Sequence, residues 1–147
     1  MNQDEKRTIL LVEDEPLIAM SESLTLEKGG FAVTIARTGE NAIECVRVCS
    51  KMDLILMDID LGPGLDGVET ARTILREHEI PIVFLSSRTE TAIVEKTDGI
   101  TSYGYITKNS DDTGLLVSIR TALGLFEARR DINEQSARIP SNHEETT

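Results

Sequence analysis

Short apolar runs and longer amphipathic stretches alternate along this chain. Ile9-Leu10-Leu11-Val12, Leu54-Ile55-Leu56-Met57 and Ile82-Val83-Phe84-Leu85 are continuously apolar. Runs of that length suit strands covered on both faces, as in a parallel sheet. Phe31 to Ala36 alternates large with small or polar residues, which suits a less covered edge strand. Tyr103-Gly104-Tyr105-Ile106 is a weaker fifth run. Helical patterns lie between the runs. Pro16 opens the first, with Leu17, Met20 and Leu24 as its expected inner stripe, and Gly29-Gly30 closes it. Thr38 is the expected N-cap of a helix reaching about Ser50, with Ala42, Val46 and Cys49 on one face. Asp66 caps the next, whose stripe is Val68, Ala71, Leu75 and His78. Thr89 to Asp98 is a weaker helix. Ser110 or Asp111 caps the last, with Leu115, Ile119, Ala122 and Phe126 inward and an expected end near Ile132.

The order is therefore a strand and a helix, five times over. Strands alternating with helices imply right-handed crossovers and a parallel sheet with helices on both faces. The chain's 147 residues make one domain. Met1 to Arg7 is a polar extension, residues 8–132 carry the domain, and residues 133–147 read as a frayed tail or linker stub. No run of about 18 apolar residues is present to span a bilayer, and the N-terminus lacks the form of a signal peptide. A cytoplasmic location is the expectation.

Composition narrows the partners. Fifteen basic against 26 acidic residues give a formal charge of −11, which disfavours nucleic acid and anionic membrane as direct ligands. Cys45 and Cys49, four apart on one helix, read as packed or half-exposed thiols rather than a disulfide framework.

Open parallel sheets bind ligands beyond the carboxyl ends of their strands. Glu13, Asp14 and Glu15 follow the first strand. Asp58 ends the third, with Asp60 two residues on. Ser86 and Ser87 follow the fourth, and Lys108 the fifth. Carboxylates this crowded repel one another unless a cation neutralises them. All-oxygen ligands at a shallow cleft suit Mg²⁺, which keeps waters and recruits phosphate oxygens. A cation beside a strand-end carboxylate and a lysine is equipped for phosphoryl transfer onto that carboxylate.

These motifs resemble the receiver domain of two-component response regulators, over about Thr8 to Phe126. They are Leu11-Val12-Glu13-Asp14-Glu15, Leu56-Met57-Asp58-Ile59-Asp60-Leu61 with Leu65-Asp66-Gly67, Phe84-Leu85-Ser86-Ser87, and Gly104-Tyr105-Ile106-Thr107-Lys108. From Glu13 to Asp58, Ser86 and Lys108 the steps are 45, 28 and 22 residues. The resemblance implies a flavodoxin-like (βα)5 fold with strand order 2-1-3-4-5. It implies that Asp58 accepts a phosphoryl group from a sensor histidine kinase or phosphotransfer protein. Mg²⁺, or Mn²⁺ in its place, would be held by Glu13, Asp14, Asp58 and the backbone carbonyl of Asp60. Ser86 and Lys108 would bind the phosphoryl group, and Ser86 and Tyr105 would switch with it. The change would be read by a downstream protein on the surface of the fourth helix, fifth strand and fifth helix (α4-β5-α5). Asp60 and Arg88 occupy positions that tune the phosphoryl lifetime. The implied protein is a signalling switch, not an enzyme on an external substrate, and a monomer or weak homodimer.

Two departures stand out. Asn109 replaces the proline that usually follows the lysine, and a trans Lys108–Asn109 peptide is expected, since a cis one costs about 2.5–4 kcal/mol without proline. The loop Leu61 to Leu65 is one residue longer than the common form, and is expected to lie away from Asp58. Other readings fit less well. A receiver excised from a hybrid kinase or multi-domain regulator shares every motif. A haloacid-dehalogenase-like phosphatase would match Asp58-Ile59-Asp60 only locally, and on the wrong strand. A nucleotide or flavin binder would need a glycine-rich phosphate loop where Glu13-Asp14-Glu15 stands.

Overall fold

The computed structural model describes residues 6–49, 51–87, 102–108 and 110–138. In chain order these form β1 (Thr8–Val12), α1 (Pro16–Lys28), β2 (Ala32–Ala36), α2 (Gly39–Val48), β3 (Leu54–Asp58), α3 (Gly67–Glu77), β4 (Ile82–Ser86), β5 (Tyr105–Thr107) and α4 (Asp112–Arg138). The five strands make one parallel sheet in the order β2-β1-β3-β4-β5. This is the expected doubly wound arrangement. The helix expected over Thr89–Asp98, Arg88 and the Lys108–Asn109 peptide lie outside the described residues, so α4 here is the fifth helix of the sequence reading.

The three continuous apolar runs are central strands, and each feeds two cores. Leu10, Val12, Ile55, Met57, Ile82 and Phe84 face α2 and α3. Ile9, Leu11, Leu54, Leu56, Val83 and Leu85 face α1 and α4. Because neighbouring strand residues point to opposite faces, both sets must be apolar, and the two-residue alternation disappears. β2 takes the edge and is only partly covered.

Local signals set most helix ends. Thr38 Oγ1 accepts from the Asn41 N–H, and Asp66 and Glu69 form a reciprocal capping box. The Gly114 N–H donates to Asp111 Oδ1 at 2.8 Å, so Asp111 caps α4. Pro16 starts α1 and Gly29 ends it.

Two expectations need correction. Leu17, Met20 and Leu24 are not the inner face of α1: they are 79%, 61% and 52% exposed, while Ala19, Thr25 and Leu26 are buried. Small residues at 19 and 25 let the helix settle on the sheet, and Leu26 packs in the same core as Phe31. Apolar residues lie on several faces of α1, so spacing alone selects no phase. Secondly, α4 runs to Arg138, six residues past its expected end. Its last described buried residue is Phe126, so three further turns project beyond the sheet.

Candidate functional site

β1 and β3 are neighbours in the sheet, so their carboxyl ends bring Glu13 and Asp58 together. Both side chains are fully buried. Glu13, Asp14 and Asp58 each offer a carboxylate oxygen, and these atoms lie within 4.8 Å of one another. Lys108 reaches over from the end of β5. Its Nζ donates to Asp58 Oδ2 at 3.1 Å and stands 3.4 Å from Glu13 Oε1. The Asp60 N–H donates to Asp58 Oδ1 at 3.0 Å, and the Glu15 N–H to Glu13 Oε2 at 3.2 Å. Both Asp58 carboxylate oxygens therefore accept a hydrogen bond.

The charges do not balance. One ammonium faces three carboxylates, two of them buried. Burial raises the Glu13 carboxyl from its ordinary 4.5 to about 7, with the Asp58 charge adding to the rise. Burial also raises Asp58, against the opposing pull of the Asp60 N–H and of Lys108. Burial works to lower the Lys108 ammonium, but Asp58 and Glu13 outweigh it and hold it above its ordinary value. Glu13 Oε1 is buried with no hydrogen-bond donor. A buried carboxylate oxygen whose one cationic neighbour, the Lys108 ammonium at 3.4 Å, is shared with Asp58 leaves this oxygen-only acid cluster under-neutralised, which fits a hard divalent cation. Asp14, half-buried, does not cap α1: Glu15 is the N-cap residue and no side chain bonds there.

Ser86 ends β4, fully buried, one register step beyond Leu85, the partner of Asp58. The Lys108 N–H donates to the Ser86 carbonyl, which ties the two strand ends together. Tyr105 sits one strand further out. It is 38% exposed and stacked on Phe84 with ring centres 6.1 Å apart, outside the acid cluster.

Sequence reasoning missed three neighbours of this cluster. Gly67 opens α3 so tightly on β3 that a Cβ there would fall on the Asp58 carbonyl oxygen and 2.8 Å from Ile59 Cα. Gly62 lies against Asp14, where a Cβ would stand 2.9 Å from Oδ2. The lengthened loop therefore touches the acid beside Asp58. Glu22 on α1 is the third. Its Oε1 is buried without a partner, and burial raises its carboxyl from 4.5 to about 7 in the field of Lys108 and Asp58. It stands at the 3- and 4-residue spacing from Ala19 and Leu26 that marks the true inner face.

Fold and site together define a doubly wound α/β domain with an acid cluster, a lysine and a buried serine gathered at the carboxyl ends of β1, β3, β4 and β5. The chain belongs to the response regulator receiver domain family: the family's model matches residues 9–120. It is 35% identical over 122 residues to the transcriptional regulatory protein CseB of Streptomyces avermitilis, covering 83% of this chain and 51% of that protein. It is 33% identical over 131 residues to the uncharacterized transcriptional regulatory protein YrkP of Bacillus subtilis, covering 86% and 54%. The chain spans about half the length of these curated relatives. Among solved structures it resembles the N-terminal domain of a response regulator/sensory box/GGDEF three-domain protein from Carboxydothermus hydrogenoformans. That match has a TM-score of 0.79 and 46% identity, and covers 84% of this chain and 98% of that one. A CheY-like receiver domain protein from Methanospirillum hungatei shares the fold at TM-score 0.77, with 23% identity, over 85% and 99% of the two chains. The chain is thus a receiver domain of two-component signalling. Among the described residues, no helix is long and apolar enough to cross a membrane.

Proposed function

We propose that this receiver is a phosphorylation switch with Asp58 as its acceptor. The observation that carries the reading is the Lys108–Asp58 contact of 3.1 Å inside the Glu13–Asp14–Asp58 cluster. A phosphohistidine of a sensor histidine kinase or phosphotransfer protein would be the donor. An Asp58 carboxylate oxygen attacks phosphorus, the P–N bond breaks, and its electron pair returns to the imidazole. Glu13, Asp14, Asp58 and the Asp60 carbonyl would hold Mg²⁺, or Mn²⁺. Bound there, the ion would offset the charge of the incoming phosphoryl oxygens. Lys108 stays within reach of the new group and pairs with its charge, while Ser86 donates its hydroxyl. Movement of Ser86 toward the phosphoryl group frees room beside Phe84 into which the Tyr105 ring turns. A downstream protein reads the change on the surface around β5 and the last helix. Asp60 and Arg88 set water access and so the lifetime of the acyl phosphate. The chain turns over no external substrate in this reading and acts in the cytoplasm.

A second reading makes the chain the receiver module of a hybrid kinase or multi-domain regulator. The projection of α4 beyond Phe126 favours it, since a continuing helix can carry motion to an adjoining unit.

The test is intact mass after incubation with acetyl phosphate, with and without Mg²⁺. A Mg²⁺-dependent gain of one phosphoryl group, absent in Asp58→Asn, is expected. Should neither that gain nor beryllofluoride binding occur, the switch reading fails and a phosphorylation-independent binding module takes its place.

A further inference from the structure

At the amino ends of β4 and β5, opposite Asp58, an open groove of about 680 Å³ lies between the C-terminal turn of α3 and the projecting part of α4. Its charge runs against that of the whole chain. Arg72 and Arg76 come from α3, Arg129 and Arg130 from α4, and His78 from the turn before β4. Four guanidinium groups converge here, in a protein with a formal charge of −11. Arg76 and Arg129 form no ion pair with any described residue. The Arg130 guanidinium carbon lies over the Phe126 ring, 5.8 Å from its centre. The His78 Nε2 is buried without a hydrogen-bond partner, and stands 3.9 Å from Glu77.

The floor is apolar. Leu75, Ile80 and the edge-to-face pair Tyr103–Phe126, with ring centres 5.6 Å apart, line it. Glu77 and Glu79 stand among the arginines, and Glu77 is itself engaged by Arg47. Arginine and aromatic residues around an apolar floor are the composition of a recognition surface.

We propose that this groove docks a short partner-protein segment that mixes acidic and aliphatic side chains. The guanidinium forks match carboxylates in two-point geometry. The apolar floor takes the aliphatic residues between them. A phosphate ligand fits worse, because it would leave the apolar floor of Leu75, Ile80, Tyr103 and Phe126 uncovered and the groove lining offers no glycine-rich backbone cradle. Four of the lining residues, Phe126, Arg129, Arg130 and Asn133, sit on α4 at or beyond its last buried position, so the occupant would contact the part of the helix that leaves the domain. The inference does not depend on phosphorylation of Asp58.

The probe is a fluorescein-labelled twelve-residue peptide of Glu and Leu, titrated into the full chain and followed by anisotropy. Saturable binding is expected, weakened about tenfold or more by the charge reversals R76E and R129E, as for central interface residues. The same peptide with Gln for Glu should not bind, and amide shifts should map to Arg76, Tyr103 and Arg129. R129Q, a milder change on an exposed helix, should weaken binding in the same direction. The far-ultraviolet circular dichroism spectrum and cooperative thermal unfolding should be unchanged in all three variants, which shows that they fold. Equal binding by the variants, or by the Gln peptide, overturns the proposal. So does displacement of the peptide by an equal concentration of ATP or inorganic phosphate, which would make the groove a phosphate site. Absence of binding by any probe overturns it as well.

Discussion

Glu22 shows how a single half-buried acid sets a pH response. Its carboxyl is raised from 4.5 to about 7 by burial, so between those values the folded chain keeps a proton that the unfolded chain has released. Stability then falls as pH rises through that window. The contribution is intact below 4.5 and lost above about 7. Glu22→Gln removes the titration and keeps the shape. The melting temperature of the variant minus that of the wild type should therefore be larger at pH 8 than at pH 4.5. Taking the difference cancels groups common to both proteins, Glu13 and Asp58 included. A difference independent of pH would mean that Glu22 is solvated. Lys108 tempers the effect, since its charge favours the ionised acid.

At the scale of elements, the start of α3 separates a cap from a contact. Asp66→Ala removes the capping box and should cost about 1 kcal/mol in denaturant unfolding. Gly67→Ala puts a methyl group on the backbone of Asp58 and Ile59, which cannot rotate away. It should cost about 1–3 kcal/mol, the range for overpacking. It should also slow acetyl phosphate labelling, because Asp58 must shift, whereas Asp66→Ala should not. Equal labelling rates in the two variants would show that the α3 start is not coupled to the acceptor. The cap was legible because Asp66 and Glu69 stand three apart in the chain. The contact was not, because nothing in the spacing of Gly67 reports what lies across the fold. The same distinction runs through the molecule. Ile9 to Val12, Leu54 to Met57 and Ile82 to Leu85 announce central strands through composition, and strand order then gathers Glu13, Asp58, Ser86 and Lys108 at one end. The phase of α1 stayed hidden, since Leu17, Met20 and Leu24 keep helical spacing as well as Ala19 and Leu26 do. Glu22 was hidden with it.

At the scale of the whole molecule, the charge of −11 and the acid cluster make two separate claims on cations. Any salt screens the general repulsion between surface carboxylates, and does so equally for monovalent and divalent ions at matched ionic strength. Only a site that fixes oxygens within one coordination sphere distinguishes Mg²⁺ from Na⁺. The Glu13–Asp14–Asp58 cluster meets that condition, and the exposed acids spread over the helices do not. Mg²⁺ should therefore raise the melting temperature above the value reached in NaCl of the same ionic strength. At a concentration about 100 times its dissociation constant, the extra stabilisation should be about 2.7 kcal/mol. Chelation with EDTA should remove it. Asp14→Asn keeps the fold, because Asp14 makes no cap to α1, and deletes one charged ligand. It should lose the Mg²⁺ increment and retain the NaCl increment. Raising pH through about 7 should enlarge the Mg²⁺ increment in the wild type, because ligand binding requires Glu13 ionised and burial holds its proton up to that value. Equal melting curves in Mg²⁺ and Na⁺ would mean that Lys108 alone satisfies the cluster, and that the three carboxylates are not a metal site.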